Sequence, residues 1–189
     1  MKTNFAAYSL LLAITTSAHA QAGAKPAPAK DCLAGQLSVT TDSGNGEFDG
    51  MSHSGTQLVI RNTSSAACRV QSLPAVAMKG SSGEPLQVSV VPASNPFRGP
   101  MVNGKPVPMG HGPVVLPVTL QAGAQANSTL RWVSGEVYDH SVCVDVASAS
   151  LSTADGSIDA PLAAHICGPD EQHVQITATR FIAHRGGKM

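Results

Sequence analysis

The chain has 189 residues, 42% of them hydrophobic and 13% charged, with 12 Lys+Arg set against 12 Asp+Glu. Ordinary apolar content at zero net charge places it among globular rather than disordered proteins. With no Lys/Arg run and only one Trp, two Tyr and four Phe, it lacks the charge that phosphate-backbone binding requires and the rings for base stacking, so nucleic acid and anionic membrane surfaces are excluded as partners.

At the N-terminus Lys2 precedes an apolar run from Phe5 to Ile14, then Thr15, Thr16 and Ser17, then Ala18-His19-Ala20, a small-x-small site ahead of Gln21. This pattern predicts a signal peptide over 1–20. The run is too short for a bilayer core of roughly 30 Å, no later run approaches that length, and the first mature position is Gln21 rather than a lipidated cysteine. No membrane anchor is expected, and the mature protein is expected in the periplasm or outside the cell. Residues 21–30, QAGAKPAPAK, have no apolar periodicity and read as an Ala/Pro-rich tether. One domain is expected over 31–183, followed by a short tail at 184–189.

From there, alternating or β-branched runs follow one another between turn residues. They comprise Leu37 to Thr40, Leu58 to Ile60, Val76 to Met78, Leu86 to Val91, Val114 to Leu120, Thr129 to Val133, Val142 to Leu151, Ala160 to Cys167 and Val174 to Ala178. Eighteen Gly and 13 Pro punctuate them (Gly 18, Pro 13), and no window after the signal peptide holds a 3.6-residue apolar period. The fold expected is all-β: an immunoglobulin-like antiparallel sandwich of seven to nine strands, with no long helix. Trp132 shares a strand face with Leu130, which suits core packing more than a ligand platform.

Cys32, Cys68, Cys143 and Cys167 all lie in the exported part and are even in number, which predicts two disulfides. None is close enough to another for the C-x-x-C spacing of a zinc site. The runs around Cys143 and Cys167 flank an Asp155-Gly156 turn signal, and both cysteines are equidistant from Asp155. A hairpin would place Cys143 opposite Cys167, leaving Cys32 to pair with Cys68.

The stretch from Leu58 to Val76, LVIRNTSSAACRVQSLPAV, combines an apolar strand, Asn62, small polar residues, Cys68 and a Pro74-Ala75-Val76 exit. It resembles the signature of the secreted bacterial family called Domain of Unknown Function 4232. Leu120-x-x-Gly123-x-x-Ala126-x-x-x-Leu130-x-Trp132 followed by Cys143 is similar to that family's late strand pair, and Cys32 stands where its opening cysteine is expected. The resemblance spans about Asp31 to Phe181. It departs at Ser72-Leu73, where Gly-Tyr is expected, and in an enlarged segment before Val114. It implies an exported sandwich and carries over no catalytic residue.

Few segments could carry chemistry. Pro92 to Pro113, PASNPFRGPMVNGKPVPMGHGP, is too rich in Pro and Gly for a regular ladder. Long irregular connections are either stiff or flexible spacers or the place where a protein binds. Phe97, Arg98, Met101, Lys105, Met109 and His111 make this one the candidate binding loop. Met51-x-His53 and Met109-x-His111 each set a thioether two residues from an imidazole, a soft pairing that suits Cu(I). The dense Met/His spacing of a copper carrier is absent. Asp42 to Gly50 could be a calcium loop or a turn-rich hairpin, but Gly44 and Glu47 occupy the wrong places for an EF-hand loop. There is no G-x-S-x-G elbow, and Asp139-His140-Ser141, as neighbours on an extended strand, cannot form a triad among themselves.

The expectation is therefore an exported, non-catalytic module that needs no cofactor and binds an unknown protein or small ligand. A periplasmic copper-binding protein using Met51, His53, Met109 and His111 is the first alternative. An uncharacterised hydrolase is the second.

Overall fold

The structure, a computed structural model, describes residues 29–93, 101–102, 105–106 and 115–184, with the backbone alone at 101–102 and 105–106. Alternating burial sets its two main layers. Along β3 (His53–Asn62), Thr56, Leu58, Ile60 and Asn62 turn inward; along β10 (Gln125–Val133), Ala126, Ser128, Leu130 and Trp132 do the same. A period of two with one apolar face is what a half-buried strand requires. These strands pair antiparallel over nine residues, from Gln125 opposite Arg61 to Val133 opposite His53.

β2 (Leu37–Asp42) adds to the outer side of β3. On the other side of β10 lie β13 (Gln175–Ala178) and β14 (Ile182–His184), and β6 (Ser89–Pro92) closes that edge beside β13. The facing layer is β12 (Ser157–Gly168), β11 (Val142–Ser152) and β5 (Val76–Lys79). β12 packs across onto β2, β10 and β13. Leu58, Ile60, Leu130, Ile166 and Ile176 fill the space between, each fully buried. The free edge of β12 is blunted by Pro161, whose carbonyl accepts the hydroxyl of Thr41 on β2 at 2.6 Å.

A third small sheet joins β1 (Lys30–Asp31), β4 (Cys68–Val70) and β9 (Val118–Leu120), and β7 (Met101–Val102) pairs with β8 (Lys105–Pro106). Fourteen strands are thus present among the described residues instead of seven to nine. The added ones are β1, β4, β7, β8 and β14, pieces of two or three residues that no run in the sequence announces. The sandwich is also not purely antiparallel, since β1 runs parallel to β4 and β6 parallel to β13. Lys30, read as tether, and His184, read as tail, both belong to strands. The helical elements described are three short 3-10 turns.

Both disulfides form as expected, Cys32 with Cys68 and Cys143 with Cys167, at Cα separations of 4.9 and 4.1 Å. Asn62, at the end of β3, has no exposed surface. Its Nδ2 donates to the carbonyls of Ala66 (2.7 Å), Leu120 (3.1 Å) and Gln121 (3.2 Å), and its Oδ1 accepts from the Ser64 backbone N–H (3.0 Å) and hydroxyl (2.8 Å). One amide therefore ties the crossing after β3 to the exit of β9.

The Asp42 to Gly50 segment is a turn whose polar groups are already occupied. Gly44, Asn45 and Gly46 all have positive φ, Asp42 accepts the Gly44 N–H and Asp49 the Ser54 hydroxyl, and Phe48 folds back to become buried. Gly55 makes room for Phe48: a Cβ there would meet the Leu130 carbonyl at 2.6 Å and the Phe48 Cβ at 3.0 Å. The Arg131 guanidinium lies 5.3 Å from the centre of the Phe48 ring, a cation–π contact.

Candidate functional site

At the end of the sandwich where β3 finishes, the Cys32–Cys68 bridge, β4 and the β11–β12 turn surround a cleft of about 210 Å³. Leu37, Val70, Leu73, Pro117, Leu151 and Phe181 give it apolar walls. Its charged groups are Arg69 and Asp31, paired at 3.1 Å on the adjacent strands β4 and β1. The Nε of Arg69 is buried and has no hydrogen-bond partner among the described residues, a donor that costs stability unless an acceptor meets it.

Four hydrogen bonds hold the walls. The Phe181 N–H donates to the Ser72 carbonyl at 2.7 Å, and the Ser152 N–H to the Ala75 carbonyl at 2.9 Å. Asp155 accepts the Ala34 N–H at 2.7 Å and the Thr153 hydroxyl at 3.0 Å, which fastens the hairpin turn to the chain beside Cys32. Donation by the Ala34 N–H to the Asp155 carboxylate is the main reason that its pKa lies below the usual aspartate range.

Leu33, Leu116 and Ile182 are exposed apolar residues, and each is the chain neighbour of a lining residue, Cys32, Pro117 and Phe181 respectively. Val115, also exposed, precedes Leu116.

The family described as Domain of unknown function (DUF4232) matches residues 32–181. The chain belongs to this family. Comparison with curated proteins and with solved structures returned no match. The two ends of the DUF4232 match, Cys32 and Phe181, both line the cleft, as do Arg69 to Ala75 of the block that follows Cys68, apart from the buried Ser72. The DUF4232 signature therefore builds one place in the fold, with Asn62 anchoring it from below.

The opposite end carries a wider cleft of about 400 Å³ that includes His53, Trp132, Tyr138, Cys167 and His173. Trp132 is buried at 6% exposure, on the inner face with Leu130, and its indole N–H has no partner among the described residues. The Nδ1 atoms of His53 and His173 are hydrogen-bonded to Ser52 (3.1 Å) and Asp170 (2.7 Å). The His173 bond is the largest of the influences that hold the Asp170 carboxyl below its usual range.

The copper candidates divide between described and undescribed chain. Met51 is fully exposed and His53 opens β3, whereas Met109 and His111 lie outside the described residues. Of the candidate binding loop, Phe97 and Arg98 also lie outside, and Met101 and Lys105 are placed only as backbone in β7 and β8. At its described start, the Ala93 N–H donates to the Ala178 carbonyl at 2.8 Å. In the Asp139-His140-Ser141 run, the Ser141 hydroxyl is tied to the backbone of Tyr138. Arg69, Phe181 and Leu116 were missed as site residues. Only Arg69 carried a signal, its place directly after Cys68 in the family block.

Proposed function

We propose that this protein is an exported, non-catalytic binding module that receives an apolar side chain of an exported protein partner in the cleft beside the Cys32–Cys68 bridge. The observation that carries the reading is the coincidence of a pocket with apolar walls and the DUF4232 block that follows Cys68, with exposed Leu33, Leu116 and Ile182 next in the chain to lining residues. Export is supported by the N-terminal run from Lys2 to Ala20 and by two disulfides, which persist in oxidising compartments. No helix among the described residues is long and apolar enough to cross a membrane.

Size favours a protein segment over a free small molecule. A volume of about 210 Å³ is below the roughly 300–1,000 Å³ of small-molecule sites, and suits one anchoring side chain surrounded by a flat rim. The Arg69 guanidinium adds a preference for an acidic group or carbonyl next to that anchor.

Selection from a displayed random-peptide library against the mature protein tests this. Enriched peptides are expected to share one large apolar residue close to an acidic residue, and to lose binding to Leu116→Asp and Arg69→Met proteins. Peptides that bind both variants as tightly as the parent would move the site elsewhere.

A further inference from the structure

We propose that the hairpin β11–β12 holds a second site, a soft-metal site that opens when the Cys143–Cys167 bridge is reduced. Linear spacing carries no zinc signature, but the hairpin supplies the convergence. Cys167 and His165 are two apart on β12 and so share a face, and Cys143 sits directly across on β11. The sulfurs of Cys143 and Cys167 and a ring nitrogen of His165 all lie within 4.8 Å of one another, a grouping found nowhere else among the described residues.

His165 is already oriented as a ligand. Its Nδ1 is 2.7 Å from Oδ1 of Asp145, the residue opposite it on β11. That bond fixes the ring, and among the described residues Nε2 has no hydrogen-bond partner, as in the carboxylate–histidine–metal arrangement. Cys143 is partly exposed, His165 exposed, and Cys167 lines the wide cleft, so an ion can enter and water can take a fourth position.

In the oxidised protein the two sulfurs are bonded to each other and cannot serve. Two thiol molecules supply two electrons to the S–S bond, leave as their own disulfide, and give up two protons to the new Cys143 and Cys167 thiols. Zn²⁺ or Cu⁺ then displaces both thiol protons into solvent and binds two thiolates and one imidazole. This donor set is selective for thiophilic ions, with Zn²⁺ favoured by tetrahedral completion with water and Cu⁺ by three-coordination.

The untagged mature protein, reduced anaerobically with a phosphine that takes its oxygen from water, is titrated with Zn²⁺ alone and with Cu⁺ alone against a chromophoric chelator. One equivalent of at least one ion is expected in the reduced protein and none in the oxidised. His165→Ala should weaken binding at least about tenfold. Bound metal should shield Cys143 and Cys167, but not Cys32 and Cys68, from alkylation mapped by peptide mass. Equal affinity in His165→Ala overturns the proposal, including the case in which a reduced, unfolded chain binds metal through loose thiols. So does shielding of the other cysteine pair, or no uptake of either ion.

Discussion

Cys143 faces Cys167 because β12 carries one residue more than β11 between the hairpin turn and the bridge. Next to the turn, Ser152 pairs with Ser157; extended without interruption, that register would set Cys143 against Ile166. Between Val146 and Ser148 the register shifts, so that Leu162 and Ala163 oppose Ala147 alone. This bulge also changes which side of β11 is buried, from Ala149 and Leu151 to Val146. The bridge therefore clamps the hairpin beyond its irregular point.

Removing the bridges should cost unequal amounts. In the chain-entropy treatment a loop of 24 residues is worth about 3.5 kcal/mol and one of 36 about 4 kcal/mol. Urea unfolding of Cys143→Ser with Cys167→Ser, and of Cys32→Ser with Cys68→Ser, should give losses in that order. A loss below about 1 kcal/mol for either pair would mean that the bridge is not constraining the unfolded chain as that treatment requires.

Asn62→Ala should destabilise the fold by about 3 kcal/mol, because the carbonyls of Ala66, Leu120 and Gln121 lose a donor in the interior. Asn62→Asp should be no better, since the replaced nitrogen faces acceptors. The measurement is the denaturant midpoint of both variants beside the parent.

The sequence announced what is local. An Asp-Gly signal between two β-rich runs marks the long hairpin, and alternation marks the buried faces of β3 and β10, including Trp132, whereas the bulge that sets Cys143 against Cys167 leaves no mark. The parallel pairings were hidden. β1 reaches β4 because the Cys32–Cys68 bridge draws it there, and β6 reaches β13 across 85 residues, as between Ser89 and Val174. Neither pairing leaves a mark on its own short segment. The cleft was hidden for the same reason: Cys32, Arg69, Pro117 and Phe181 meet only once these long-range pairings are made. The Pro-rich loop from Pro92 to Pro113, by contrast, stands out by composition alone.

Two glycines with crowded surroundings should behave differently. A Cβ on Gly168 would meet the backbone of His173 and Val174 at 2.4 to 2.7 Å, and backbone next to the buried Val174 cannot move aside. A Cβ on Gly80 would meet the carboxylate of Glu84 at 1.8 Å, which is the free end of a flexible chain. Gly168→Ala should cost about 3 kcal/mol, and Gly80→Ala clearly less, because all it displaces is the exposed Glu84 carboxylate with its hydrogen bonds to Ser82. Thermal or urea unfolding that ranks the pair the other way would contradict the close packing at Gly168.

Stability should fall in acid through identifiable carboxylates. Asp155 is held below the usual aspartate range chiefly by the Ala34 N–H, and Asp159 chiefly by its hydrogen bond to Lys79 across β11. A carboxylate whose pKa is lower folded than unfolded resists protonation in the native state. Its contribution is complete above the unfolded value of about 3.9 and disappears as pH falls through the lower, folded value. The urea midpoint should therefore be steady from neutral pH down to about 5 and decline below about 4. Asp155→Asn keeps an oxygen for the Ala34 N–H but has no proton to gain there. It should leave neutral stability nearly unchanged and flatten the acid decline, whereas Asp155→Ala should lower stability at every pH and loosen the turn that walls the cleft. An acid decline identical in parent and Asp155→Asn would show that this contact does not contribute to it.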